Sequence, residues 1–149
     1  MSSSYEALIR DLEKLVHRHI RLVDATRRAA VKARRTGDTV VLDERARKLI
    51  ELRASLERLL SALDSLGSSS GLATLDADSR ERLELLLFFL SEVGLSEERA
   101  LWRYVAKHRE SLRGSVAAEA AEAMAKRSAE LRTVSLALLE KVKSLERTA

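Results

Sequence analysis

The chain has 149 residues, of which 46% are hydrophobic and 34% charged, with no proline and a net charge of +4. It contains no cysteine, which excludes a disulfide framework, thiolate chemistry and cysteine-ligated zinc or iron–sulfur sites. Aromatic residues make up only 3%, so the composition predicts one all-α domain over residues 1–149. The longest apolar run, 85–90, is too short to span a bilayer, and the N-terminus lacks the apolar core of a secretory signal. We therefore expect a cytoplasmic protein with no membrane partner.

Apolar residues recur with helical spacing from the start of the chain. The first arm is predicted over about residues 4–36, with an inward apolar stripe that ends at Gly37. Ser3 and Glu6 match a capping box at its start. The second arm, about 40–66, has the same near-heptad spacing. The short link between the two arms predicts an antiparallel hairpin.

Residues 67–77 are the low-complexity stretch of the chain, and their serines and glycines predict a flexible surface loop. The third arm follows over about 78–113. It begins with Asp78 and Glu81, which match a second capping box.

The third arm contains a break signal. Gly94 is typical of a helix stop and Ser96, followed by two glutamates, of a new start, so we predict a break or sharp kink at 94. The apolar stripe keeps nearly the same phase across Gly94, which predicts one bent arm. After Gly114 the stripe rotates by roughly 100°. This rotation predicts a reversal near Gly114 and Ser115 and a fourth arm over about 115–147.

Four arms of comparable length predict an up-down-up-down four-helix bundle with a bent third arm. The five glycines fall where these arms end or change phase, as expected of residues that tolerate left-handed backbone. Small residues of the first and fourth arms meet at one end of the bundle, and we expect them to pack closely rather than to leave a pocket. They are Thr26, Ala29, Ala30, Ala33, Ala117, Ala118, Ala120 and Ala121.

Two histidines lie on predicted inward stripes, His19 in the first arm and His108 in the third. Facing histidines could ligate a haem or a metal in a bundle core, but the arm directions place these two in different layers, and no metal-ligating spacing accompanies either. We therefore predict no cofactor and two partly buried, hydrogen-bonded histidines. Arg53, at another core position, is expected to extend its head group outward to solvent.

Basic residues are concentrated in the first arm, where residues 4–36 hold nine Lys or Arg against four Asp or Glu. Lys14, Arg21, Arg28 and Arg35 recur every seven residues along its outer face. Such a stripe could bind phosphates or an acidic protein surface. The sequence has no recognised DNA-binding arrangement and few aromatic residues to stack on bases, so a solvated charged face is the favoured interpretation.

Residues 85–90 are apolar on every side of a helix, although one side of a bundle helix faces water. Trp102 likewise lies roughly 100° from the inward stripe of its helix. Either the 67–77 loop covers this surface, or the surface binds a partner helix or a second copy of the chain. The predicted partner-binding residues are Leu85, Phe88, Phe89 and Trp102.

Catalytic patterns are weak. Residues 67–71 match Gly-x-Ser-x-Gly with Ser69 at the centre, but a nucleophile elbow follows a strand, and here a helix precedes a serine run. Inward basic residues that would hold a dianion, as in a chorismate mutase, are limited to Arg53. We predict that the protein is not an enzyme.

A further pattern joins the first hairpin to the last helix. It consists of the run 33–38, a charged helix over 48–60 that closes with Leu66 and Gly67, and residues 128–136. In these segments the chain resembles the flagellar type III export chaperones of the hook-junction and filament-cap class. The resemblance implies a small cytoplasmic helical protein that holds the C-terminal segment of an export substrate in a hydrophobic groove.

The leading hypothesis is a non-enzymatic, chaperone-like interaction module that binds an apolar or amphipathic partner segment. One alternative is a designed bundle with a small-molecule or haem site near His19 or His108, because the chain lacks proline and cysteine and has glycine only at breaks. A second alternative is an anion or nucleic-acid binder that uses the basic face of the first arm.

Overall fold

A computed structural model describes residues 2–67 and 71–148, and within them the side chains of residues 5–65 and 71–145. The described residues contain no strand, which confirms the all-α class. The predicted capping residue Ser3 lies outside the described side chains, and Ser69 lies outside the described residues. The helices are α1 (Ser2–Thr36), α2 (Val40–Gly67), α3 (Ala77–Phe89), α4 (Leu95–Lys107) and α5 (Val116–Thr148).

The third arm is α3, a π-helical turn (Leu90–Gly94) and α4 in direct succession. Gly94 has φ −56° and ψ −57°, and the Ser96 hydroxyl donates to the carbonyl oxygen of Ser91 at 3.2 Å instead of capping a new helix. The predicted helix stop at Gly94 and start at Ser96 are therefore wrong. A Cβ at Gly94 would lie 3.0 Å from Nδ1 of His19, closer than an ordinary van der Waals contact, so the glycine leaves room for the His19 ring.

Of the predicted flexible loop over 67–77, residues 68–70 lie outside the described residues, and residues 71–76 are folded against the core rather than flexible. Residues Leu72–Thr74 form a 3₁₀ turn, and the side chains of Leu72 and Leu75 are buried in the core. The side chain of Asp76 accepts a hydrogen bond from the amide of Ser79 at 2.7 Å, so Asp76, and not Asp78, caps α3.

The third and fourth arms are separated by turns at the position where the sequence predicts a reversal, near Gly114 and Ser115. α4 ends at Lys107, a series of turns follows, and Gly114 has φ +83°. The first turn of α5 is then capped twice: Ser115 Oγ accepts from the amide of Ala118 at 3.0 Å, and Asp43 Oδ1 of α2 accepts from the amide of Val116 at 2.9 Å. The second cap connects α2 directly to the start of α5.

Helices α1 and α2 pack together, as do α4 and α5; α2 also packs on α5, and α1 on α3 and α4. The buried side chains form two hydrophobic clusters. The first extends from Tyr5 to Val16 on α1 and the second from Val23 to Ala33, and each takes in residues of α2, the third arm and α5. The small residues of α1 and α5 lie in or against the second cluster, where Ala30, Ala33, Ala117 and Ala121 are buried. Helices α1 and α5 are not among the pairs that pack extensively on one another, so the close approach of these two arms stays a prediction.

The left-handed glycine that ends α1 offers a test of this fold. Gly37 has φ +80°, and nothing lies within 4 Å of a Cβ added there, so only backbone strain opposes a side chain. We expect Gly37→Ala to lower the free energy of unfolding by about 1 kcal/mol and Gly37→Asn by less, because asparagine tolerates this conformation. Urea unfolding followed by circular dichroism measures both values. Unchanged stability in Gly37→Ala would contradict the assigned backbone.

Candidate functional site

A layer of polar side chains separates the two hydrophobic clusters. It contains one residue from each arm, namely His19 (α1), Arg53 (α2), Glu98 (α4) and Ser128 (α5), and each is at most 1% exposed. In every arm the polar residue lies between apolar residues of the two clusters, as His19 does between Val16 and Val23. The layer is therefore a cross-section of the whole bundle.

The carboxylate of Glu98 is the acceptor at the centre of this layer. Its Oε1 atom accepts from Nε2 of His19 at 2.7 Å. Its Oε2 atom accepts from Nη1 of Arg53 at 2.7 Å, from the Ser128 hydroxyl at 2.7 Å and from the indole nitrogen of Trp102 at 2.8 Å. A single side chain thus binds groups from all four arms.

Arg53 extends the network toward the surface. Its Nη2 atom donates to Oε1 of Glu57 at 2.9 Å and to the backbone oxygen of Arg127 at 3.3 Å, and Arg127 in turn pairs with Glu57 at 3.0 Å. The prediction that the Arg53 head group reaches outward to solvent is wrong, because the buried Glu98 carboxylate holds it inside. Charged hydrogen bonds of this kind are what allow an arginine to be buried.

The electrostatics of the layer favour the ionised carboxylate. Burial by itself raises the pKa of Glu98, but the hydrogen bond from His19 and the charge of Arg53 outweigh it and lower the pKa below the ordinary glutamate value. Glu98 is therefore a carboxylate at neutral pH and supplies the negative charge that compensates Arg53.

The two histidines have different environments. His19 is hydrogen-bonded, as predicted, but fully rather than partly buried. His108 is partly buried, as predicted, and packs against Tyr104 with ring centroids 4.6 Å apart and ring planes tilted by 60°. Burial and the nearby charges of Arg34 and Lys107 lower the pKa of His108. Because Nε2 of His19 is already bonded to Glu98, ligation of a haem through that atom would break the layer. The described residues contain no group of three or more acidic, histidine or cysteine side chains that could hold a metal ion.

Trp102 does not contribute to an exposed surface, so its placement on the predicted partner-binding face is wrong. It is fully buried, in the second hydrophobic cluster, and its indole N–H donates to Glu98. The predicted inward stripe of this helix excludes Trp102, which lies roughly 100° from it. Once Glu98 is buried, Trp102 lies one turn further along the same face.

The other predicted partner-binding residues lie on α3. Leu85 is 62% and Phe88 52% exposed, while Phe89 is half-buried against the first cluster. Leu85 and Phe89 also line a hollow of about 380 Å³ between α3 and α1. We call Leu85, Phe88 and Phe89 the α3 face. In the described part of the segment before α3, Leu72 and Leu75 turn into the core, and Leu85 and Phe88 stay exposed beside it.

The predicted basic stripe is exposed on α1. Lys14, Arg21, Arg28 and Arg35 are all at the surface, and Arg28 pairs with Asp24 at 3.1 Å. Lys14 and Arg21 border the groove between α1 and α2, while Arg28 and Arg35 do not. Binding of nucleic acid or phosphate to the whole stripe stays a prediction.

Two members of the polar layer were missed from the sequence. Glu98 and Ser128 both have apolar neighbours at helical spacing, Leu95 and Leu101 around the first, Met124 and Leu131 around the second. The sequence does contain one signal for this layer. Glu98 and Arg53 have opposite charges, and each lies on the apolar stripe of its own arm. No residue spacing indicates that the two would meet.

Comparisons of the chain with protein-family models, with curated proteins and with solved structures found no match. Within the described residues, no helix combines the length and the apolar character needed to cross a membrane. Function is therefore argued from the surfaces and the polar layer themselves.

The Glu98 carboxylate provides a direct test of the layer. We expect Glu98→Gln to lower the free energy of unfolding by about 3–5 kcal/mol at pH 7, because Arg53 would lose its buried counterion and keep only the partly exposed Glu57. The folded-state pKa of Glu98 is lowered, so its contribution is complete above the unfolded value of about 4.3 and is lost as the pH falls further. The difference in the free energy of unfolding between the parent protein and the Glu98→Gln variant should therefore narrow below about pH 4.

The matched control is Glu57→Gln, which also removes a carboxylate partner of Arg53 but at a side chain that is 30% exposed. We expect a loss of at most about 1 kcal/mol for this variant. Equal losses in Glu98→Gln and Glu57→Gln, measured by urea unfolding, would contradict a central role for Glu98.

Proposed function

We propose that the protein is a non-enzymatic, chaperone-like helical-bundle interaction module that binds an apolar or amphipathic partner segment at the α3 face. The observation that carries the proposal is the exposure of Leu85 and Phe88, three residues apart and thus neighbours on one side of a helix. Large side chains exposed together in this way are typical of an interface.

The surroundings of the α3 face support an amphipathic partner. The hollow between α3 and α1 has an apolar base that includes Val16, Leu86 and Phe89. Its edge carries both acidic and basic groups, among them Glu81 and Arg82. A helix or extended segment with apolar residues on one side could insert them there while its polar side remains in water.

The polar layer supports a structural rather than a catalytic role. His19, Arg53 and Glu98 resemble catalytic groups in type, but each is at most 1% exposed, and both His19 and Arg53 bond to the Glu98 carboxylate. A substrate would reach them only if the arms separated. Catalysis by charged groups requires contact with the reacting atoms.

We further propose that the four arms alternate in direction and that the third arm bends at Gly94. Alternation is supported by the membership of the two hydrophobic clusters, since the first takes the early part of α1 together with the late part of α2 and of α5. A bend is supported by the π-helical turn, because such turns are a recognised cause of helix kinks.

The α3 face can be tested by charge insertion. We expect the double variant Leu85→Lys with Phe88→Lys to reduce the binding of an apolar fluorescent dye at least about twofold, and to abolish any self-association seen by light scattering at several concentrations. Stability should change by no more than about 0.5 kcal/mol per site, because both side chains are at the surface.

The control is Val40→Lys with Val41→Lys, at residues that are 71% and 52% exposed at the start of α2. This variant has the same added charge and a similar loss of exposed apolar surface. If both double variants affect dye binding equally, or if the parent protein stays monomeric and binds no dye, the α3 face is not an interaction site.

A further inference from the structure

A second surface, separate from the α3 face, lies between α1 and α2. Two adjoining hollows of about 610 and 460 Å³ share Leu15, Arg18 and Ser55 and thus form one continuous groove. On α1 the groove extends from Asp11 to Ala25, about 21 Å at the rise of a helix. This length matches about four turns of a docked helix.

The base of the groove is apolar and has helical periodicity. Leu15 and Leu22 of α1 are half-buried, and Leu52 and Leu59 of α2 are each 9% exposed. The members of each pair are seven residues apart, which is the repeat by which apolar residues of one helix pack against another. Two rows at this spacing offer holes for the side chains of a third helix.

The rim of the groove is strongly basic. The lining residues include two acidic side chains, Asp11 and Glu51, and six basic ones. Their net charge of +4 equals that of the entire chain. The basic residues are Lys14, Arg18, Arg21, Arg45, Lys48 and Arg58.

Most of this basic charge has no partner within the protein. Lys48 pairs with Glu44 at 3.2 Å, and Arg58 donates to the hydroxyl of Ser55 at 3.2 Å. In the part of the chain that the structure describes, the other four basic residues of the rim form no ion pair. Concentrated, uncompensated positive charge favours an acidic ligand.

We propose that the α1–α2 groove binds an acidic amphipathic helix of a partner protein. The apolar side of that helix, about 14 residues long, packs on the leucine rows, and its flanking carboxylates pair with the arginines of the rim. Nucleic acid fits less well, because phosphates gain nothing from the apolar leucines, and none of the described residues that line the groove is aromatic and able to stack on nucleobases. A bilayer surface is flat and does not reach leucines recessed between two helices.

The test uses three labelled synthetic peptides of about 14 residues. One is amphipathic with glutamates beside its leucines, one has lysines in place of the glutamates, and one has the acidic composition in a scrambled order. We expect only the acidic amphipathic peptide to bind in fluorescence anisotropy, with an affinity that falls at least about tenfold between low and high salt.

Variants then locate the site. Arg18→Glu with Arg21→Glu should weaken binding of the acidic amphipathic peptide at least about tenfold, because both exposed side chains border the groove. Arg99→Glu with Arg103→Glu, on exposed positions of α4, produces the same net charge and should leave the affinity within about twofold. The Leu85→Lys with Phe88→Lys variant should also bind normally, which separates this groove from the α3 face.

Several results would overturn the proposal. The proposal is wrong if the acidic amphipathic peptide does not bind, or if the scrambled or basic peptide binds equally well. It is also wrong if the α1 and α4 charge reversals weaken binding of the acidic amphipathic peptide equally. Tighter binding of duplex DNA or of anionic vesicles, both competed by the peptide, would assign the groove to another class of ligand. None of these results bears on the dye-binding test of the α3 face.

Discussion

One buried carboxylate constrains the whole molecule. Glu98 accepts hydrogen bonds from His19, Arg53, Ser128 and Trp102, and these donors come from every arm of the bundle. The apolar residues on either side of this layer could interdigitate in more than one alignment, since leucines repeat at similar spacing along each arm. A shift of one helical turn, about 5.4 Å, would place the charge of Arg53 among leucines. The polar layer therefore selects one alignment.

The layer contributes more to alignment than to net stability. Transferring an arginine and a glutamate out of water costs several kcal/mol per ion, and their attraction and hydrogen bonds offset this cost only when the geometry is good. Packed apolar residues in the same place are often equally stabilising or more so. The layer differs from them in being intolerant of partial disruption, because loss of one partner leaves the other charged and buried.

The fixed alignment determines what the outer faces present. With α1 and α2 held together, the leucine rows of their groove lie side by side and the basic side chains line both edges. On the other side of α1, the third arm is held by the bond from His19 to Glu98, and Leu85 and Phe88 remain outside. Both candidate surfaces adjoin α1 and depend on the same interior contacts.

Much of the fold could be predicted from the sequence, because apolar periodicity and glycine positions are local signals. The four helical arms and the inward position of His19 follow from them. The burial of Arg53, Glu98 and Trp102 did not, because each depends on contacts between α2 and α4 that no local signal reveals. The helical state of Gly94 was also missed, since a glycine that relieves a steric contact with His19 looks the same in sequence as one that ends a helix.

The central claim, that the Glu98 layer joins all four arms into one unit, can be tested most directly through Trp102. This residue is the only tryptophan in the chain and donates to Glu98, so its fluorescence reports on the layer, whereas far-ultraviolet circular dichroism reports on all helices. Both should be followed through urea unfolding of the unmodified protein. We predict that the fluorescence and circular dichroism transitions coincide, with the same midpoint urea concentration and the same dependence of the unfolding free energy on urea, as for a single cooperative unit. Exposure of Trp102 at a lower urea concentration than the loss of helix would show that the layer opens while the arms remain folded, and would contradict the claim.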